Sequence, residues 1–336
     1  MRKNLSLYKK GSFEFNLAST VVLLFLAIVP FVFDVAITLD ISAGVIFALL
    51  ALSMGFLWGY VGILSFGQTI FFGLAGYTYA VSTLSGLDTY LAIILALIIP
   101  LGFSLLLGYF MIYGRLSDIY LSIMTLVVTL ILEKIVLATS AAHFTLGGVR
   151  LNGSNGIPGV PSIDWNILGF STSSIEGIYY LAFVMLLAAY FGLSYLIKTR
   201  YGLKLLGVRE NEQRMNLLGY DSRRIKLSAF AISSVLASLA GILFAAWGSF
   251  VGPEMFSLTQ ASMIVIWVIV GGRNTLLGPI IGAVLIHYVT SWLGAAGVGQ
   301  VNLLLGFILL FFVIYFPLGI GKFVSFTIRP KKEFKQ

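Results

Sequence analysis

The sequence predicts an all-α, polytopic integral membrane protein of about ten transmembrane helices (eight to ten), with both termini in the cytoplasm. Three observations predict it. Of the 336 residues 59% are hydrophobic and the mean hydropathy is +1.01, more apolar surface than one soluble core can hide. The apolar residues gather into about ten runs, most of them near the roughly 20 residues that span a bilayer core. Finally, Lys and Arg collect in alternate connections, as cytoplasmic loops require.

The first run, 18–38, follows a basic start (Arg2, Lys3, Lys9, Lys10) over the N-terminal segment 1–17. That order resembles a signal peptide, but the run is too long and lacks a small-residue cleavage site, so an uncleaved helix is expected. The second and third runs, 41–60 and 67–83, share the glycine-rich text "GFLWGYVGILSFGQTIFFGLAG". Runs at 90–113 and 119–139 flank Arg115, and the connection 140–177 after them ("LGGVRLNGSNGIPGVPSIDW") has the composition of turns rather than regular structure. A sixth run at 178–197 leads into the charged segment 198–226, followed by runs at 227–249, 259–271, 276–293 and 302–321 and a basic tail, 322–336. The run at 259–271 is short enough to be a broken or re-entrant segment.

Charge sets the sidedness. Residues 198–226 hold eight Lys and Arg, and Lys322, Arg329, Lys331, Lys332 and Lys335 close the chain, so both regions should lie inside with the N-terminus. The connections 84–89, 140–177, 250–258 and 294–301 contain one Lys or Arg between them, Arg150, and read as external. The net charge of +8 is thereby accounted for by topology, and no nucleic-acid partner is expected.

Enzyme chemistry has little to stand on. The chain lacks a GxxxxGK(S/T) loop and a GxSxG elbow, its two histidines, His143 and His287, are far apart, and it has no cysteine. Polar residues within the apolar runs are costly and need weighing. Ser122, Thr125, Thr129 and Glu133 share one helix face, which suits a hydrophilic lining of a translocation path. Equally, the hydroxyls can bond back to their own helix while Glu133 and Lys134 reach the outer interface. Ser65 and Gln68, in "SFGQT", and His287 are further candidates for the path or for bonds to neighbouring helices; Asp34 and Asp40 are expected at the outer end of the first helix, solvated by the interface. Gly55/Gly59 and Gly278/Gly282 form GxxxG pairs, which suit close helix packing or helix breaks beside a path.

The segment "YGLKLLGVRENEQRMNLLGYDSRRIK" (201–226) mixes charges of both signs with good helix formers. Leu203, Leu206, Met215, Leu217 and Leu218 are available for buried contacts, so short amphipathic helices that dock on another protein are expected; a solvated loop carrying positive-inside charge is the plainer alternative.

Four stretches together resemble one family: "GYVGILSFGQTIFFGLAGYTYA" (59–80), "GSNGIPGVP" (153–161), "TRYGLKLLGVRENEQRMNLLGYDSRRIKLSAFAISSVLASLAGILFA" (199–245) and "IVGGRNTLLGPIIGAVL" (269–285). In this order they resemble the permease subunits of branched-chain amino acid ABC transporters, the LivM type of the LivH/LivM family. The resemblance implies that Arg209, Glu210, Asn211, Glu212, Leu218 and Gly219 form the loop that contacts the ATP-binding subunit. Two departures stand out: Gln213 to Asn216 replace an Ala-rich run, and Gln68 stands where many relatives have His. The resemblance further implies a multi-pass protein of a prokaryotic cell (inner) membrane. Its expected partners are a second, homologous permease, two cytoplasmic ATPases that use ATP, an extracytoplasmic solute-binding protein and membrane lipid; this chain itself binds no cofactor. Urea, short amides and other amino acids are competing cargoes, and an ion-coupled secondary transporter is the reading from another class.

Overall fold

α2 (Val35–Phe56) is the central helix of the bundle, and its second half, from Val45 to Phe56, is almost wholly buried. The computed structural model describes residues 21–114, 116–141, 143–163, 174–297, 300–316 and 319; the expected segments 1–17 and 322–336, and Arg115, lie outside these. Around α2 pack α6 (Ile175–Lys198), α9 (Ser222–Gly248), α10 (Leu258–Gly271) and α11 (Leu277–Ala295), while α3 (Gln68–Leu84) is held between α9 and α4 (Thr89–Tyr113). α1 (Val21–Val32) buries Leu23, Leu26 and Val29, and receives the Tyr179 hydroxyl of α6 on the Leu26 carbonyl. α5 (Asp118–Ala138) and α12 (Val301–Tyr315) are peripheral. The protein is thus an all-α polytopic membrane protein in which, among the described residues, six helices are long and apolar enough to cross alone. α1, α3, α10 and α12 are shorter.

The inter-helix contacts explain this order. α9 is rich in Ala and Ser, so neighbours approach closely: Ser233 donates to the Ser53 carbonyl at 2.9 Å, and Ser234 bonds Ser104 of α4 at 2.9 Å. Gly278 and Gly282 let α11 lie backbone to backbone on the end of α10, and Pro279 fills the space left by Gly55 of α2. The two glycine-rich zones therefore pack against each other.

Three local features differ from the sequence expectation. The first boundary falls at 33–34 instead of 39–40, so Asp40 lies inside α2, where its carboxylate is 3.4 Å from His287 Nε2 of α11. The carboxylate stays 26% exposed near the start of α2, which with the neighbouring imidazole makes it tolerable there. The connection 140–177 is not all turns. β1 (Thr145–Leu146) and β2 (Val149–Arg150) form a hairpin, and β3 (Ile157–Pro158) pairs with β4 (Phe250–Val251) beyond α9. Buried Ile157, Val160 and Ile163 anchor this cover, and Tyr79 of α3 donates to the Pro161 carbonyl at 3.1 Å. Finally, β4 leads into a 3-10 turn, Pro253–Phe256, that dips into the bundle, where Met255 and Phe256 occupy the spaces over Gly76 and Gly73 of α3. α10 starts from that inner point, which is why 14 residues, about 21 Å of helix, suffice to reach the far end.

The termini of the helices sort into two ends. One carries the end of α2, the start of α5, the segment after α6, the start of α9 and the α10–α11 turn, joined by Arg209–Gly59, Lys226–Asp118 and Arg273–Trp58 contacts. We call it the charged end; the strands lie at the opposite end.

Candidate functional site at the charged end

The segment after α6 folds as two short helices, α7 (Arg200–Glu210) and α8 (Glu212–Leu217). Thr199 opens α7 by accepting from the Tyr201 amide at 3.2 Å. Asn211 takes an extended conformation between the helices, and its side chain caps α8 by accepting from the Arg214 amide at 2.8 Å. Met215 lies against Gly207, which joins α8 to α7. Gly219, with φ +85°, closes α8 in the left-handed region that glycine adopts without strain, and the Tyr220 amide returns to the Met215 carbonyl at 3.1 Å. Asp221 then caps α9.

An ionic cluster fixes α8 to the membrane helices. Lys226 of α9 lies 2.7 Å from Glu212 and 3.4 Å from Asp118 of α5, and Ser222 donates to Glu212 at 2.9 Å. Partial burial alone would raise the Glu212 carboxyl, but the hydrogen bond and charge of Lys226, with Ser222 and Arg223, hold it below the ordinary glutamate range. Arg209 reaches across to α2, donating to the Gly59 carbonyl while it also pairs with Glu210 at 3.0 Å.

Of the residues expected to dock a partner, Arg209, Asn211, Glu212 and Gly219 thus set the shape of the segment, and Glu210 and Leu218 face outward. The buried contacts foreseen for Leu203, Leu217 and Leu218 are absent among the described residues: Leu217 is 88% exposed and Leu218 67%. Met215 and Leu206 are half-buried. Of Gln213 to Asn216, Met215 and Asn216 hold the turn, Asn216 accepting from the Ser222 amide at 3.2 Å, while Gln213 and Arg214 are exposed. Lys226, Ser222 and Asp118 were given no role from the sequence, because Lys226 reads as the end of the charged segment 198–226 until the structure places it one turn inside α9.

The polar residues expected along a path converge on a break in the chain. α2 widens into a π-helical turn, Leu57–Val61, closed by Gly62 at φ +88° and by the Ile63 amide on the Leu57 carbonyl, and residues 64–66 follow outside any helix before α3 begins. Such a break frees backbone groups that lipid cannot satisfy. The α5 hydroxyls meet them: Ser122 donates to the Leu64 carbonyl at 2.7 Å, Thr125 accepts from the Phe66 amide at 3.2 Å, and Thr129 lies 3.4 Å from the Phe66 carbonyl. Each hydroxyl also bonds back to its own helix. Ser65 accepts from the Gly67 amide at 3.1 Å. Gln68, fully buried, accepts from Ser53 at 3.1 Å, and its Nε2 finds no partner among the described residues. Thr69, which bonds the Phe66 carbonyl at 3.0 Å, belongs to the same set and was missed.

The family described as "Branched-chain amino acid transport system / permease component" matches residues 37–314. The high-affinity branched-chain amino acid transport system permease protein LivM of Escherichia coli is 28% identical over 272 residues, covering 74% of this chain and 62% of that protein. The probable LivM protein of Methanocaldococcus jannaschii is 25% identical over 274 residues, 70% of this chain and 75% of its own length. The autoinducer 2 import system permease protein LsrC of Yersinia pseudotuberculosis is 30% identical over 149 residues, 42% of this chain and 41% of that one. The chain spans about three fifths of the length of the bacterial LivM proteins it matches. No solved structure matches it.

Proposed function

The chain belongs to the family of branched-chain amino acid transport system permease components, and from that premise we propose that it is the membrane-spanning subunit of a binding-protein-dependent ABC importer for branched-chain or related hydrophobic amino acids. In this reading a second, homologous permease completes the path, two cytoplasmic ATPases hydrolyse ATP, and an extracytoplasmic binding protein delivers the solute. No covalent chemistry takes place in this chain. The observation that carries the reading is α8: a capped helix with two uncovered leucines at its end, fastened by Glu212 to Lys226 of α9, which also reaches Asp118 of α5, so that a partner pressing on Leu217 and Leu218 moves membrane helices rather than a loose loop. The polar residues at the chain break, Ser65, Gln68, Ser122, Thr125 and Thr129, are the proposed lining of the path.

Uptake of radiolabelled leucine into proteoliposomes holding the full set of subunits tests this. Uptake is expected to need ATP and to resist an ionophore; the opposite pattern supports an ion-coupled carrier and removes the ABC reading. Competition by urea or other amino acids ranks the alternative cargoes. Glu212→Ala together with Gly219→Val is expected to abolish most uptake while ATP hydrolysis and membrane insertion persist. Normal uptake in that variant would sink the role given to α8.

A further inference from the structure

An open cavity of about 190 Å³ lies at the charged end, lined by Trp58, Gly59, Gly62, Arg209, Arg273 and Asn274. It joins three elements that the sequence keeps far apart: the π-helical end of α2, the end of α7 and the α10–α11 turn. Glycines at 59 and 62 make the junction possible, because a Cβ at 59 would overlap the Arg273 carbonyl and one at 62 would press on the Arg209 side chain. The volume holds about six waters at ~30 Å³ each, room for a hydrated phosphate-sized anion.

Its chemistry is one-sided. Two guanidinium groups and the Asn274 amide line it, and no carboxylate does among the described residues. Arg209 shares its charge with Glu210, whose side chain is largely exposed. Arg273 makes no ion pair among the described residues. Its guanidinium lies 5.2 Å from the centre of the Trp58 ring. A cation–π contact uses the guanidinium's charge without consuming its N–H donors, which remain for a separate acceptor, and the guanidinium fork matches two oxygens of a phosphate.

We propose that the Trp58–Arg209–Arg273 cavity is a binding site for a phosphate-bearing anion, either the headgroup of an anionic phospholipid or a soluble phosphate. An anion there bridges Arg209 and Arg273 and so ties α7 to the end of α2 and to the α10–α11 turn. The proposal concerns binding alone and does not depend on what the protein transports.

The test uses the full-length protein in nanodiscs. In discs of phosphatidylcholine only, equilibrium dialysis against labelled orthophosphate reads the soluble source; in discs doped with phosphatidylglycerol, native mass spectrometry counts retained anionic lipid. Saturable orthophosphate binding assigns the site to a soluble phosphate, and selective retention of phosphatidylglycerol without orthophosphate binding assigns it to a headgroup. In whichever arm binds, Arg273→Gln is expected to weaken binding by roughly tenfold or more, the loss of a charge-assisted pair of hydrogen bonds. Arg273→Lys, which preserves charge and sidedness but not the fork, is expected to fall between the two, and guards against a folding defect in the glutamine variant. Absence of binding in both arms, or wild-type binding by either folded variant, overturns the proposal.

Discussion

Gln68 holds a side-chain amide in a place where one half of it has nothing to do. Its oxygen accepts from Ser53, yet its Nε2 donor is buried without a partner among the described residues, a condition that costs about 1–3 kcal/mol. Replacing it by methionine, of similar length, removes the orphan and leaves Ser53 its second acceptor, the Leu50 carbonyl. Gln68→Met is therefore expected to unfold at an equal or higher temperature than wild type, yet, under the proposed lining of the path by Gln68, to lose roughly tenfold or more of leucine uptake through one lost hydrogen bond. Thermal unfolding and uptake measured on one preparation check this; a parallel fall in both would reduce Gln68 to packing. The neighbouring hydroxyls show what a sequence can tell. That Ser122, Thr125 and Thr129 share a face follows from their spacing, but what they meet, the backbone at 64–66, is invisible until the chain is folded, because nothing in the identities of Leu64 and Phe66 advertises unsatisfied peptide groups.

Among the elements, the dipping turn before α10 depends on a knob and two hollows. Phe256 and Met255 fill the room over Gly73 and Gly76, and both are fully enclosed. Phe256→Ala empties that space at a cost of about 3–5 kcal/mol, and a marked drop in unfolding temperature or folded yield is expected in detergent. Stability equal to wild type would mean that the turn is not held by this contact. The sequence indicated α10's shortness through its few apolar residues, and the helical character of 201–226 through its helix formers. It misplaced the boundary between the first two helices because Asp40 looks like a loop residue until His287, far along the chain, is found beside it.

For the whole molecule, charge was the most legible property. Every basic cluster within the described residues other than the isolated Arg150 and Lys134 falls at the end where α7, α8 and the α10–α11 turn meet, in the pattern the loops foretold. The absence of cysteine makes the orientation directly measurable. In spheroplasts, Asn155→Cys in the strand-bearing connection is expected to react with a membrane-impermeant maleimide, and Gln213→Cys on α8 only after permeabilisation. Labelling of both from one side would reverse or refute the assigned topology.

α9 spans that orientation from end to end. It begins at the Asp221 cap beside α8 and finishes at the strand that pairs with β3, so one 27-residue rod connects the ionic cluster to the cover on the opposite side. At 1.5 Å per residue the rod is about 40 Å long, and pivoting it by about 5° swings its free end through about 3.5 Å. Mechanically it is a lever arm, with leverage enough to shift the β3–β4 cover by roughly the width of a methyl group for a barely visible tilt at α8.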